Sequence, residues 1–338
     1  MGKKGILLVN LGTPDSPSTA DVRKYLKQFL MDERVIDINP FSRNLLVKGI
    51  IVPFRGPKSA KLYKEIWSKK TGSPLLHYSI LQTAALQKLL GEDYHVELAM
   101  RYQSPSIKYA LDKLKDLQVD SIKVIPMFPH YASASTGSVI QEVMEQISKW
   151  LTIPNISFVN SFHDHPLLIQ TFAQNGLKYK PETYDHILFS FHGLPQRQLG
   201  KSDHSQKHCL KDSACCQTIT ENNKFCYSAQ CYHTARLIAA ELQIPEDKYT
   251  VCFQSRLGKT PWVQPYTNEV LKERAAKNNK RLLVFCPAFV ADCLETVYEV
   301  TVEYGEEFKE MGGEHLQLVE SLNDNPMWIE ALKEIAIN

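Results

Sequence analysis

The 338-residue chain has no uninterrupted apolar run approaching the length of about 18 residues that reads as a membrane-spanning helix. It also lacks an excess of either charge: 39 Lys and Arg against 37 Asp and Glu leave a formal +2. A balance this close to neutral supplies no field for nucleic acid or an anionic surface, and no local basic patch makes up for it. Met1-Gly2-Lys3-Lys4 leads into only about six apolar-rich positions before Gly12, Pro14 and Asp15, too few for a secretory signal and followed by no cleavage site. A cytoplasmic location is therefore expected. With 43% hydrophobic and 22% charged residues, the chain is neither disordered nor collagenous. Its length suits two domains at roughly 150 residues each.

Short runs rich in Val, Ile and Leu recur between amphipathic, helix-length segments: Gly5 to Asn10, Val96 to Met100, Ile122 to Pro126, His186 to Phe191, Thr250 to Phe253, Leu282 to Phe285 and Leu316 to Val319. Such alternation predicts βα units around buried parallel sheets. A repeat is visible within it. Ile6-Leu-Leu-Val-Asn-Leu-Gly-Thr-Pro14 parallels Ile187-Leu-Phe-Ser-Phe-His-Gly-Leu-Pro195, and Val124-Ile-Pro-Met-Phe128 parallels Val284-Phe-Cys-Pro-Ala-Phe289. The expected fold class is α/β, with two similar doubly wound, Rossmann-like halves, residues 1–158 and 159–338, around a central cleft; the last helix is expected to pack back on the first half. Ligands of open α/β sheets gather at the carboxyl ends of strands, so the default site is that cleft.

Asp292, Glu295, Glu299 and Glu303 are spaced three, four and four, in a segment from Pro287 to Phe308 that holds no Lys or Arg. On a helix these carboxylates form one stripe. Like charges four apart cost about 0.2–0.5 kcal/mol per pair, which a solvated acidic face tolerates. The flanking Phe285, Phe289, Val290, Leu294, Val297 and Val300 are too apolar for that, and predict a partly buried row able to move protons or hold a divalent cation. His192 closes an apolar strand before Gly193 and Pro195. A lone His is commonly a satisfied core or loop side chain; at a strand-end turn it is also placed to serve as base or metal ligand. Ser133 to Ser138 lacks the Gly-Lys-Ser/Thr ending of a phosphate loop and reads as a helix cap. Five of eight cysteines, Cys209, Cys215, Cys216, Cys226 and Cys231, crowd into one short stretch, which in a reducing compartment reads as metal or iron-sulfur ligation before disulfides.

Leu7-Leu-Val-Asn-Leu-Gly-Thr-Pro14, Met100-Arg-Tyr-Gln-Ser-Pro105, Pro126 to Ser138, Phe189-Ser-Phe-His-Gly-Leu-Pro195, Phe253-Gln-Ser-Arg-Leu-Gly-Lys-Thr-Pro-Trp262 and Pro287-Ala-Phe-Val-Ala-Asp-Cys-Leu-Glu-Thr296 together resemble the ferrochelatases. That resemblance implies two Rossmann-like halves and an enzyme that inserts Fe²⁺, its substrate, into a porphyrin. It places the family's catalytic His on His192 and its essential Glu on Glu295, both facing the porphyrin centre and the incoming iron. The metal or proton path falls on Asp292, Glu299 and Glu303, and substrate contacts on Met31, Arg55, Ser73, Arg101 and Tyr102. Asp15 stands where members taking coproporphyrin tend to carry Tyr, which points to protoporphyrin IX. Cys293 replaces the second His that many members set beside the Glu. Phe29 to Met31 and Leu45 to Phe54 read either as the pocket lip or as core, and a lip allows peripheral membrane contact.

Some bacterial members carry an internal [2Fe-2S] cluster. By that resemblance its ligands are Cys209, Cys216, Cys226 and Cys231, with Cys215 spare or alternative. Structural zinc, with His204, His208 and His233 nearby, and free thiols are the competing readings. Two alternatives to iron insertion remain at this level: a cobalt chelatase of corrin synthesis, and a non-catalytic tetrapyrrole or metal-binding protein.

Overall fold

Each strand run read from the sequence is a strand in the structure, a computed structural model that describes residues 2–212, 214–258 and 260–338. In the first sheet, β1 (Lys4–Gly12) pairs with β2 (Tyr94–Tyr102) and β3 (Ser121–Pro126), and β3 pairs with β4 (Asn155–Phe158), all parallel. In the second, β5 (His186–His192) pairs with β6 (Tyr249–Gln254) and β7 (Arg281–Phe285), and β7 pairs with β8 (His315–Leu318), again all parallel. The orders, β2-β1-β3-β4 and β6-β5-β7-β8, are the same once strands are counted from the start of each sheet. The repeat seen in the sequence is thus a repeat of topology.

Two compact units hold these sheets: Met1–Phe128 with Ala132–Asn160 and Leu332–Asn338, and Pro129–Tyr131 with Ser161–Ala331. In the first, Leu7, Val9, Ile122 and Val124 pack against Ile107, Leu111 and Leu114 of the helix Ile107–Asp116, and against Val139, Val143 and Ile147 of the helix Ser138–Ile147. In the second, Leu188, Cys252, Leu282 and Val284 pack against Val270, Leu271, Val300, Tyr304 and Phe308. Central strands buried on both faces must be apolar throughout, which is why β1 and β5 read as unbroken runs. β1 ends at Gly12, whose φ of +116° and a would-be Cβ only 2.0 Å from the Tyr102 carbonyl oxygen exclude any side chain.

The acidic segment departs from expectation. Instead of one α-helix over Pro287 to Phe308, residues 287–293 are non-helical, Leu294–Tyr304 is a π-helix, and an α-helix begins only at Gly305. Ser133–Gly137 is likewise a short π-helical turn leading into the helix Ser138–Ile147. Among the described residues no helix is long and apolar enough to cross a membrane.

Candidate active site

The carboxyl ends of β5 and β6 set the geometry. His192, half-buried, is the last residue of β5 and pairs in register with Gln254, the last of β6. The His192 Nδ1 lies 2.7 Å from the Gly193 carbonyl oxygen. A carbonyl only accepts, so Nδ1 carries the proton and Nε2 keeps a free lone pair. The backbone is pinned as well: Tyr227 Oη donates to the His192 carbonyl oxygen at 2.8 Å, and the Gly193 amide donates to the Gln254 carbonyl at 2.8 Å.

Gln254, which the sequence reading did not single out, joins the histidine strand to the acids. Its Nε2 donates to the Glu295 carbonyl oxygen at 2.8 Å and to Glu299 Oε2 at 3.2 Å, while its Oε1 accepts from Ser190 Oγ at 2.8 Å. Glu299 also accepts from Ser255 Oγ at 2.6 Å and from Tyr304 Oη at 3.1 Å. Burial raises the Glu299 pKa above the usual carboxylate range; the Ser255 hydrogen bond and the nearby His192 oppose that rise, and the charge of Glu295 adds to it. Glu303 is raised by burial and by Glu299, and Glu307 by burial, Glu303 and Glu310. Each acid in this file therefore feels the one before it.

Glu299, Glu303 and Glu307 line one cavity of about 370 Å³ with Ser255, Arg256 and Tyr266. One buried Glu307 oxygen, Oε2, has no hydrogen-bond partner. Glu307 also escaped the sequence reading, although it continues the four-residue spacing from Glu303. A buried carboxylate oxygen without a partner beside a cavity is a setting for a cation or a mobile proton. Asp292 is not brought into this row. Its Oδ1 accepts from Thr296 Oγ1 at 3.0 Å and from the Ser321 amide at 3.3 Å, and its Oδ2 accepts from Asn323 Nδ2 at 2.7 Å. With those partners Asp292 fixes the loop before the π-helix. Cys293 is buried as the cap of that helix.

The expected substrate contacts belong to the first unit and stand in varied surroundings. Arg101 spends its guanidinium internally, on Asp32 at 2.9 Å, Glu142 at 3.2 Å and Ser138 Oγ at 2.7 Å. Tyr102 is fully buried with its hydroxyl on Asp32 at 2.9 Å, and Ser73 is buried, accepting from Thr13 Oγ1 at 2.9 Å. Met31 is half-buried, and Arg55 is exposed with no ion pair to a described residue. Of the segments read as lip or core, Leu45 to Phe54 exposes Leu45 at 64%, Ile50 at 54% and Phe54 at 71% while Val47 is buried, and in Phe29 to Met31 Leu30 is buried.

The clustered cysteines lie on a loop organised by two buried side chains. Asp203 accepts from the amides of Ser205, His208 and Cys209 at 3.0, 2.9 and 2.8 Å, and those bonds hold its carboxyl far below the usual range. Asn223 Nδ2 donates to the Cys215 and Thr218 carbonyls at 2.9 and 2.8 Å. Cys215 and Cys216 have sulfurs 3.6 Å apart, and a bond from the Cys216 thiol lowers the Cys226 pKa. Cys209, Cys215, Cys216 and Cys226 are partly exposed, whereas Cys231 is wholly buried on the helix Tyr227–Glu241. Among the described residues no three of these sulfurs lie as close together as a closed zinc tetrahedron requires.

Comparison with known proteins agrees with this arrangement. The chain is 44% identical to a protein named ferrochelatase from Legionella pneumophila (strain Lens), over 98% of each chain. It is 41% identical to a ferrochelatase from Coxiella burnetii (strain Dugway 5J108-111), over 99% of this chain and 93% of that one. Among solved structures, the SirB protein of Bacillus subtilis with Fe³⁺ superposes with a TM-score of 0.54 at 11% identity, over 98% of this chain and 93% of that one, a likeness of chelatase fold alone. A family model described as ferrochelatase matches residues 3–338, and the chain belongs to the ferrochelatase family, the metal-inserting enzymes of haem synthesis.

Proposed function

We propose that His192 and Glu295 act on the ring centre of protoporphyrin IX, accepting its two inner protons and presenting Fe²⁺, and that Glu299, Glu303 and Glu307 form the route along which protons or iron travel. The observation that carries this reading is the Gln254 junction: one side chain bonded to the Glu295 backbone carbonyl and the Glu299 carboxylate, on a residue in register with His192. A free-base porphyrin cannot take a metal until its inner N–H protons leave. The unencumbered Nε2 of His192 supplies a base, or an iron ligand. Glu299, with its pKa raised by burial, is a better proton acceptor near neutrality than an exposed carboxylate. Carboxylates that hold Fe²⁺ through oxygen alone release it to the nitrogens of the ring.

Asp15 favours protoporphyrin IX, and the exposed Arg55 has the free guanidinium suited to a propionate, with Met31, Ser73, Arg101 and Tyr102 shaping the same rim. The exposed apolar residues Phe41, Leu45 and Phe54 support peripheral contact of an otherwise cytoplasmic protein with a membrane that holds this sparingly soluble substrate. The loop cysteines fit a [2Fe-2S] cluster held by Cys209, Cys216 and Cys226 with Cys231, or with Cys215, whose exposure and nearness to Cys216 favour it. Bound there, such a cluster would tie the loop together.

The decisive experiment is anaerobic incubation with protoporphyrin IX and Fe²⁺, followed by absorbance. Haem should form far above the uncatalysed rate, and His192→Ala should abolish insertion while porphyrin binding stays measurable. Near-normal turnover by His192→Ala would remove the assignment.

A further inference from the structure

Apart from the acids and cysteines, the described residues gather metal-ligating side chains at one other place. His163 and Asp164, just before the helix Pro166–Leu177, and His233, on the helix Tyr227–Glu241, offer ligand atoms that all lie within 4.8 Å of one another. The His163 Nε2 and His233 Nδ1 are 3.2 Å apart. Two nitrogens bound at 2.0–2.1 Å to one tetrahedral ion stand roughly 3.3 Å apart, so the spacing already suits a shared ion.

One buried polar atom of this cluster, the Nδ1 of His163, has no partner whether or not an ion is shared through Nε2. Two neutral imidazoles facing nitrogen to nitrogen share one proton. Whichever ring donates it, the buried Nδ1 of His163 is left over, and that atom has no hydrogen-bond partner. Asp164 Oδ1, at 3.8 Å from it, is beyond hydrogen-bond reach. A third imidazole packs beside the cluster. Thr234 Oγ1 donates its only proton to the His163 carbonyl at 2.7 Å, and so accepts from His130 Nε2 at 2.9 Å. His130 is a fully buried wall beside His163, with ring centroids 6.1 Å apart. A neutral imidazole is the form that binds a metal. The Asp164 side chain is 55% exposed, which gives an ion a way in and a water a place in the fourth position.

We propose that His163, His233 and Asp164 form a binding site for one divalent first-row transition ion, zinc in the first instance, separate from the site of iron insertion. Two imidazoles and one carboxylate suit zinc, cobalt or nickel and disfavour magnesium and calcium, which take oxygen ligands. Only this chain's own side chains are needed.

The test uses Zn²⁺ alone on the full chain. Crystals soaked in Zn²⁺ should give an anomalous peak between His163 and His233. In solution, equilibrium dialysis at micromolar Zn²⁺ should show His233→Ala binding one zinc fewer than the parent protein, with its circular dichroism unchanged in chelator. Asp164→Asn, an exposed substitution, should weaken the same zinc by tenfold or more, and serves alone if His233→Ala does not fold. Absence of the peak while zinc occupies other sites would overturn the proposal. So would a peak accompanied by unchanged zinc counts in both variants.

Discussion

Replacing Gly193 by Ala tests how strictly the strand end must hold His192. A Cβ at position 193 would lie 2.8 Å from the Gln254 carbonyl oxygen and 3.1 Å from Cε3 of Trp262. The obstructing carbonyl is the one that accepts the Gly193 amide at 2.8 Å, so relief of the clash stretches the bond that aligns β5 with β6. Trp262 is 9% exposed and its backbone bridges Pro195, so it has little room to retreat. Overpacking of this kind costs about 1–3 kcal/mol, or roughly 2–4 °C of Tm per kcal/mol for a unit of this size. A shift of His192 by several tenths of an ångström should lower kcat by about tenfold or more, since a misplacement of about 1 Å costs on the order of 100-fold. The assay is zinc insertion into protoporphyrin IX, followed by fluorescence, alongside thermal melts. Unchanged Tm would refute the steric argument. A lowered Tm with unchanged kcat would show that insertion does not depend on where His192 is held.

Glu299→Gln keeps the side-chain shape but removes the acid, and should cut insertion by about 100-fold or more at neutral pH, as loss of a general acid–base group does. Because burial raises the Glu299 pKa, its contribution to stability is full below the unfolded value of about 4.5 and lost as pH rises through the folded one; melts of the Gln variant should therefore fall less steeply than wild type over that window. His186 behaves oppositely. Burial and Arg274 depress its pKa from 6.5 to about 4, so stability is full above pH 6.5 and is lost on acidification toward pH 4, by roughly 1–3 kcal/mol. His186→Gln should flatten that limb, and equal slopes for variant and parent would exclude the assignment. Protein purified under nitrogen should be brown with two iron atoms per chain, and Asp203→Ala, which frees the amides of Ser205, His208 and Cys209, should lose most of that iron; a colourless parent holding stoichiometric zinc would rule out the iron–sulfur cluster.

The fold was legible where burial leaves a continuous trace. β1 and β5 are apolar along nearly their whole lengths because both faces are covered. β4 was not read, since it lies at the edge of its sheet and its burial alternates between exposed and half-buried. The acids were visible as spacing, but spacing by four does not distinguish an α-helix from a π-helix, and Asp292 falls outside the helix altogether. Long-range pairing left no local trace. Asp32 lies 69 residues before Arg101, and His233 lies 70 after His163, so neither partnership has a period to detect. Gln254 carries no charge and belongs to no ligand pattern; its only signal was its place at the end of an apolar strand, next to the Ser-Arg-Leu-Gly string.

Glu295, Glu299 and Glu303 ride on the π-helix, and Glu307 on the α-helix that follows it. Successive carboxylates at 295, 299, 303 and 307 repel one another, burial raises the pKa of the last three, and no Lys or Arg lies between Pro287 and Phe308 to neutralise them. Spacing by four keeps these carboxylates on one stripe in an α-helix or a π-helix alike, so a repulsion of about 0.2–0.5 kcal/mol per pair does not itself select the wider turn. In Leu294–Tyr304 the wider turn instead leaves the Glu295 carbonyl to accept from Gln254, while Glu299 accepts from Gln254, Ser255 and Tyr304. π-Helical segments cost backbone hydrogen-bond quality and are found where function requires the altered spacing. Here the altered spacing gives Glu299 three hydrogen-bond donors and sets Glu303 and Glu307 beside the same cavity.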